Sequence, residues 1–358
     1  MEKVTFVDYI TRTLSPAVVS ALKRIGMKTV IKERLLFLLK YTIGFALLGW
    51  ILARIDRRQM IEAMTDISLT VVVSILALTF VNLAVQFSRW KYLLQNHSSN
   101  LQSRDILPSF FAGFAFRLMI PGGHAEITKI LLLPGKKNGK VFAFGIEKYF
   151  QTFIKVVLVL ISLPLVFPDL RLYLWGLALL AAGSYFLLQL VLKRSFFQRL
   201  QEREVSYPKI FLGTLAFSLM VFVCLTAQYF LLLNEIHAID VGSTALVVIF
   251  IWSAGLLPVS VSGLGVRENL AVFFLAQYGI PGYTAVGISL LVFFLNSIVP
   301  ALGGIYFIMV RRHQLKEAGG FLRSVGRKLY PRRTDPLADI QPGSTTVMYQ
   351  EDSNKNPL

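Results

Sequence analysis

The sequence predicts an all-α, polytopic membrane protein, and three observations lead to that fold class. Hydrophobic residues make up 55% of the 358-residue chain, and its mean hydropathy is +0.61. Only 16% of the residues are charged, whereas a soluble domain carries about 25%. Several apolar runs reach the roughly 20 residues that a helix needs to cross a bilayer. We therefore expect about six full transmembrane helices and two shorter, interrupted segments.

The long apolar runs are the predicted spans. They are 35–53, 68–90, 141–167, 172–192, 210–233 and 284–310. Two further apolar segments, 106–133 and 243–279, are too broken to cross as ordinary helices. The first is interrupted at Pro121-Gly122-Gly123, and the second between Pro258 and Gly265. We expect each to enter the membrane and return to the same side as a re-entrant helical hairpin.

The placement of the basic residues predicts the orientation. Seven Lys/Arg fall in 1–34, five in 193–209 and eight in 311–333, while 234–242 has none. Cytoplasmic loops collect Lys/Arg, so both termini and 193–209 should be cytoplasmic and 234–242 outside. One loop, 54–67, disagrees, because it is basic but should be outside. Topology and attraction to anionic lipid explain the net charge of +17 better than a nucleic-acid partner does.

The same count predicts a repeat. The halves 35–167 and 172–310 each read as span, span, hairpin, span, with equivalent elements about 137 residues apart. The first half starts inside and the second outside, which is the inverted-topology plan of many transporters. The transmembrane domain would then be 35–312. It is preceded by a basic amphipathic cytoplasmic segment, 1–34, and followed by a basic, then disordered, cytoplasmic tail, 313–358.

The two breaks predict a polar cavity. Re-entrant backbone is tolerated in a membrane only when it is buried in protein or lines a wet cavity. The helices that should begin near His124 and Val266 direct their N-termini into that cavity, and helix N-termini favour anions. Ordinary turns between two short helices are the alternative explanation of the breaks.

Ionisable side chains inside spans are costly and usually functional. The candidates are Arg117, Glu126, Lys129, Glu147, Lys148, Lys155, Arg267 and Glu268. For Glu126 and Glu268, a structural ion pair or a helix-start carboxylate is the alternative role. The stretch Arg89-Trp90-Lys91-Tyr92 is predicted to be an interfacial aromatic and basic anchor at the cytoplasmic end of a span, with contact to lipid head groups as the alternative role.

The sequence predicts no catalytic residues, no metal site and no cofactor. Cys224 is the only cysteine, the four histidines are scattered, and neither a phosphate-binding loop nor a Ser/His/Asp order is present.

Three motifs, taken in order, resemble the transmembrane flippase-like domain of the lysylphosphatidylglycerol synthetases (multiple peptide resistance factor) and its stand-alone relatives. The resemblance covers roughly 35–312. The motifs read Pro121-Gly122…Glu126…Lys129, then Glu147-Lys148, then Pro258…Gly263-Leu264-Gly265-Val266-Arg267-Glu268. No soluble aminoacyl-transferase domain follows 312, so the resemblance implies a transporter-like protein more than an enzyme.

The breaks, the charges and the resemblance together predict one central substrate-binding site. Its predicted residues are Arg117, Pro121, Gly122, Gly123, Glu126, Lys129, Glu147, Lys148, Pro258, Gly263, Gly265, Arg267 and Glu268. The basic residues would hold a phosphate, and Glu126 and Glu268 would neutralise charge or couple transport.

The expected function is therefore a lipid translocase in a bacterial or archaeal plasma membrane, moving an anionic phospholipid, an aminoacyl-phospholipid or a related lipid. An intramembrane lipid-modifying transferase and a non-catalytic partner of a separate synthetase remain as alternatives. Expected partners are membrane phospholipids, with a homo-oligomer and a separate lipid-modifying enzyme as further options.

Overall fold

The structure, a computed structural model, describes most of the membrane region. The described residues are 42–98, 101–119, 125–135, 137–192, 206–257, 260 and 262–311. Four predicted site residues (Pro121, Gly122, Gly123 and Pro258) lie outside them, as do the predicted segment 1–34, the loop 193–205 and the tail 313–358. Within the described ranges, all regular structure is helical and no strand occurs. The all-α fold class is confirmed.

Eleven α-helices are described, with short 3-10 turns between some of them. In chain order they are α1 (Thr42–Arg54), α2 (Arg57–Thr65), α3 (Leu69–His97), α4 (Ser103–Met119), α5 (Asn138–Ser162), α6 (Arg171–Leu192), α7 (Tyr207–Ile236), α8 (Val241–Ser253), α9 (Val266–Leu275), α10 (Gly282–Phe293) and α11 (Val299–Val310). A 3-10 helix, Ala125–Leu132, lies between α4 and α5, and a π-helical segment, Phe294–Ile298, joins α10 to α11.

Five stretches of the described residues are long and apolar enough to cross a membrane, so the protein is an integral, multi-pass membrane protein. They are Leu69–His97, Asn138–Leu165, Pro168–Leu192, Tyr207–Ile236 and Gly282–Val310. Each coincides with a predicted span. The predicted span 35–53 is seen only as α1, because its first residues lie outside the described ranges.

The loop predicted at 54–67 contains a helix that sequence reasoning missed. Asp56 caps α2, because its side chain accepts hydrogen bonds from the backbone N–H groups of Arg58 and Gln59 at 2.9 and 3.2 Å. The helix is polar and exposed, and it contacts α10 where Met60 and Met64 lie against Gly287. Of the three arginines in this loop, Arg57 and Arg58 begin α2 and Arg54 ends α1.

Asp240 plays the same capping role for α8. Its carboxylate accepts a hydrogen bond from the backbone N–H of Ser243 at 2.9 Å. Hydrogen bonding from Ser243 holds the pKa of this exposed carboxyl below its usual range. The cap therefore marks the point where the second interrupted segment begins.

Two apolar cores hold the helices together, and the long helix α3 contributes to both. One core gathers α7, α8, α9 and α10 around residues such as Leu232 and Ile288, and it includes Ile75 of α3. The other gathers α4 and α5 around Phe110 and Phe150, and it includes Trp90 of α3. The charged residues Glu126, Lys129, Glu147 and Lys148 lie around the second core, whereas Arg267 and Glu268 begin α9, which packs in the first.

Helices α4 and α11 cross at very short range. A Cβ atom added at Gly304 would lie 2.2 Å from the carbonyl oxygen of Phe111. Small residues at such crossings allow membrane helices to pack backbone against backbone. This crossing positions α4. Helix α4 also packs against the 3-10 helix Ala125–Leu132, which contains Glu126 and Lys129.

The π-helical segment has a local cause in Pro300. Proline has no backbone N–H, and in a regular helix its ring would collide with the carbonyl of the residue four positions earlier, which here is Asn296. The wider π turn ends just before Val299 and so removes that conflict. It also directs the Asn296 side chain into the protein, where the residue is 9% exposed.

Candidate functional site

The first interrupted segment places two charged side chains inside the protein. Glu126 and Lys129 are three residues apart on the 3-10 helix, and both are buried. The Lys129 Nζ lies 3.1 Å from Glu126 Oε1. Gly113 of α4 makes room for them, since a Cβ there would lie 3.0 Å from Lys129 Cδ and 3.5 Å from Glu126 Cγ.

Helix α5 supplies the second pair of charges. Lys129 Nζ donates to Glu147 Oε2 at 2.7 Å, so this ammonium bridges two carboxylates. The Lys148 ammonium in turn pairs with Glu126 Oε2. Gln151 links the two α5 residues, accepting from Lys148 and donating to Glu147, both at 3.2 Å. Four predicted site residues are therefore joined in one network.

Helix α3 completes this group, and here one prediction was wrong. Arg89 and Trp90 do not form an interfacial anchor, because they are only 4% and 0% exposed. Arg89 Nη2 lies 3.8 Å from Glu147 Oε1, and Nη1 donates to Ser218 Oγ of α7 at 3.2 Å. The ring of Trp90 lies 3.8 Å from Lys129 Nζ, a cation–π distance.

Arg89 and Trp90 are buried because α3 does not end at residue 90. It continues to His97, and its last turns pack Leu93, Leu94 and His97 into the protein. The predicted span end was taken from the loss of apolar residues, but those turns are covered by neighbouring helices. We call Arg89, Glu126, Lys129, Glu147 and Lys148 the inner cluster.

The inner cluster has more positive than negative charge. It holds three cations and two carboxylates. Two further basic side chains lie outside this network: Arg117, half-buried against the Phe114 ring at 4.7 Å, and Lys155, 4.7 Å from the Trp252 ring. Neither forms an ion pair with another described residue.

Two buried donors around the cluster also lack an acceptor. Arg89 Nε and Trp90 Nε1 find no hydrogen-bond partner within the described ranges. Buried donors are normally satisfied, and leaving one unpaired costs about 1–3 kcal/mol. Excess positive charge and open donors are both features that an anionic, oxygen-rich ligand would satisfy.

The second interrupted segment places Arg267 and Glu268 at the start of α9. Glu268 is fully buried, and its Oε2 accepts from the backbone N–H of Gly265 at 2.6 Å. Its Oε1 pairs with Arg267 Nη2 at 2.5 Å. Ser289 of α10 is a shared partner, 3.3 Å from Arg267 Nε and 3.4 Å from Glu268 Oε1. Glu268 therefore caps its own helix, the alternative role foreseen for it.

Gly263 and Gly265 allow the start of α9 to pack closely against other backbone segments. Gly265 has a φ of +81°, and a Cβ there would lie 2.5 Å from the carbonyl oxygen of Gly44 on α1. Gly263 has a φ of +80° and lies against the backbone of Gly255. Both positions require glycine for conformation and for space.

Between the two groups lies a buried amide network that sequence reasoning missed. Asn82 donates to Asn296 Oδ1 at 2.6 Å, and Asn296 donates to Gln228 Oε1 at 2.9 Å. Gln228 donates to Thr79 Oγ1 at 2.7 Å. The network joins α3, α7 and the π segment. Its sequence signal is the presence of amide side chains inside three apolar runs: Asn82 and Gln86, Gln228, and Asn296.

The predicted site residues thus fall into two groups. Glu126, Lys129, Glu147 and Lys148 lie together, while Arg267 and Glu268 form a separate pair near Gly263 and Gly265. Arg117 lies near the first group. Lys155 lies between the two groups. Its Nζ is 4.0 Å from a Cβ built at Gly255, and Gly255 in turn lies against Gly263.

An all-helical membrane domain with a charge cluster buried between broken helices defines the class of protein. The family comparison makes this specific. Residues 37–304 match the family described as the lysylphosphatidylglycerol synthase TM region, and the chain belongs to that family. Its function is accordingly related to membrane lipids. No curated protein and no solved structure matches the chain.

Proposed function

We propose that the protein is a lipid translocase that moves an anionic phospholipid between leaflets and binds its phosphate at the inner cluster. One observation carries the proposal. Three basic side chains and only two carboxylates are joined in one largely buried network between α3, the 3-10 helix and α5. A lipid phosphate supplies the missing negative charge.

The magnitude of the charge imbalance supports this reading. Ionisable groups inside a membrane are costly, and a purely structural network would be expected to balance them. Here the carboxylates Glu126 and Glu147 are shared among three cations. An anion that enters the cluster lowers the cost of the unmatched charge, so the empty and loaded states differ in energy.

The helix order supports an inverted repeat, with the two broken helix pairs as opposed re-entrant hairpins. Helix α7 begins 138 residues after α3 (207 against 69), and α8 begins 138 residues after α4 (241 against 103). In each half a broken helix pair follows the long helix: α4 with the 3-10 helix, and α8 with α9. Both termini would then be cytoplasmic, as the basic residues indicate.

The decisive experiment is lipid movement in reconstituted vesicles. A labelled phosphatidylglycerol is placed in one leaflet, and its arrival in the other is followed by chemical quenching from outside. We expect Glu126→Gln to abolish movement, because Lys148 loses its carboxylate and Lys129 keeps only Glu147. Glu268→Gln should also abolish it if the second pair couples to the first.

The control is Glu62→Gln, in the exposed pair with Arg58 on α2. That pair is 2.8 Å long with side chains 88% and 55% exposed, so it contributes at most about 1 kcal/mol. The double variant Glu126→Gln/Lys148→Gln removes one charge of each sign and tests whether loss of movement is only misfolding. A well-folded double variant that moves lipid at the wild-type rate contradicts the proposal. So does chemical conversion of the lipid, which would indicate a transferase.

A further inference from the structure

A groove runs along the face between α5 and α6, outside the inner cluster. It consists of two adjoining cavities of about 420 and 360 Å³, and Tyr149 lines both. Ligand pockets commonly have volumes of about 300–1,000 Å³. The cavity of 420 Å³ is lined by Lys148, Tyr149, Thr152, Phe153, Val156, Ala181 and Ser184. The cavity of 360 Å³ extends to Asn138, at the start of α5, and to Leu192, at the end of α6.

The groove is apolar apart from one edge. The Tyr149 hydroxyl is already satisfied by Ser184 Oγ at 2.9 Å, so it adds no open polar group. Lys148 and Thr152 stand on one edge, four residues apart. Lys155 lies on the same stripe of α5, seven residues from Lys148, because residues i, i+4 and i+7 share a helix face.

Lys148 belongs both to this groove and to the inner cluster. It pairs with Glu126 and Gln151, yet its side chain is 29% exposed, whereas that of Lys129 is 3% exposed. Lys148 is the most exposed of the five charged side chains of the cluster. A ligand in the groove would therefore contact the inner cluster through the Lys148 ammonium.

We propose that this groove is the lateral path by which a diacyl anionic phospholipid reaches the inner cluster, with an acyl chain along the apolar wall and the phosphate on Lys148. The lining selects the occupant, because the apolar wall suits hydrocarbon and the partly exposed Lys148 ammonium at its edge suits a phosphate. Lys155 lies about 10 Å further along α5 at 1.5 Å per residue, and it receives the phosphate next. This inference rests on the proposed translocase function.

The test is photo-crosslinking in bilayers where phosphatidylglycerol is the minor lipid and phosphatidylcholine the major one. Benzoylphenylalanine replaces Phe153, which lines the groove, or Phe186 of α6, which is 66% exposed. Each probe takes the place of an aromatic ring, so the groove keeps most of its volume. We expect the probe at 153 to capture phosphatidylglycerol several-fold above its share of the bilayer. The probe at 186 should capture the two lipids in the bulk ratio. In a Lys148→Gln background, enrichment at 153 should vanish.

A second pair of variants separates this inference from the proposed function. Ala181→Trp fills the groove and should slow lipid movement several-fold, while Ala182→Trp should leave it unchanged. If the probe at 153 captures lipid in the bulk ratio, or Ala181→Trp moves lipid as fast as wild type, the lateral path is wrong. Glu126→Gln separates failure of the lateral path from failure of the proposed function. If Glu126→Gln loses lipid movement while Ala181→Trp does not, the translocase function is supported and only the lateral path is rejected. If the wild-type protein moves no lipid, the proposed function fails first.

Discussion

Two glutamates follow the two breaks in this chain, yet their carboxylates do different work. Glu268 accepts the N–H of Gly265 and pairs with Arg267 on its own helix. Glu126 pairs with Lys129 and with Lys148 of another helix. The first is a helix cap with a local counter-ion, and the second ties two elements together. Sequence alone places both beside a basic residue and does not separate these roles.

The cap role of Glu268 gives a stability prediction. Glu268→Gln keeps an oxygen that can accept the Gly265 N–H, so we expect a modest loss, of about 1 kcal/mol, from the weaker Arg267 contact. Glu268→Ala removes the cap and leaves Arg267 without its carboxylate, which should cost about 3–5 kcal/mol. Thermal unfolding in micelles measures both. Equal midpoints for the two variants would contradict the cap role.

At this scale, the sequence identified the charges but not their partners. Glu126, Lys129, Glu147 and Lys148 were predicted because charge inside an apolar run is conspicuous. Arg89 was assigned to an anchor because it lies where the apolar run fades. Partnership across helices depends on rotation and depth, which a linear pattern does not contain.

The elements were predicted best where long apolar runs made them unambiguous. All five candidate spans coincide with predicted ones, but the ends differ by a few residues and α3 continues well beyond its predicted end. Helix α2 was missed because it is short and mostly polar, so that its few apolar residues, such as Met60 and Met64, do not form an apolar run. The π segment was missed because its cause, Pro300 beside a buried amide, depends on packing.

The crossing of α4 and α11 offers a matched test at neighbouring glycines. A Cβ at Gly304 would collide with the Phe111 backbone, whereas one at Gly303 would meet only the Phe111 ring at 3.4 Å. We expect Gly304→Ala to lower the free energy of unfolding by about 1–3 kcal/mol or more, since backbone cannot move aside as a ring can. Gly303→Ala should change it by less than about 1 kcal/mol. Thermal midpoints in micelles compare them, and similar losses would show that the crossing is looser than described.

The whole molecule sets two charged groups at either side of an amide network, with helices from both halves contributing. Helices α3 and α7, equivalent in the proposed repeat, pack against each other, and their amides meet through Asn296. An inverted repeat would direct the two broken helix pairs toward each other from opposite faces. The sequence predicted this plan from loop charge and segment order. The amide side chains inside the apolar runs were visible, but the sequence does not show that they meet near the midpoint of α3.

The orientation of that plan is tested with two asparagines at opposite predicted faces. Asn234, near the end of α7, should be outside, and Asn138, at the start of α5, should be cytoplasmic; both are exposed. Each is changed to cysteine in a Cys224→Ala background, because Cys224 is the chain's only native thiol and is buried. In intact cells, an impermeant maleimide should label the thiol at 234 and miss the one at 138. Lysis should expose 138, which shows that this thiol is reactive. Labelling of 138 before lysis would place 134–140 outside. The first interrupted segment would then cross the membrane once, and the two broken helix pairs would no longer be opposed hairpins.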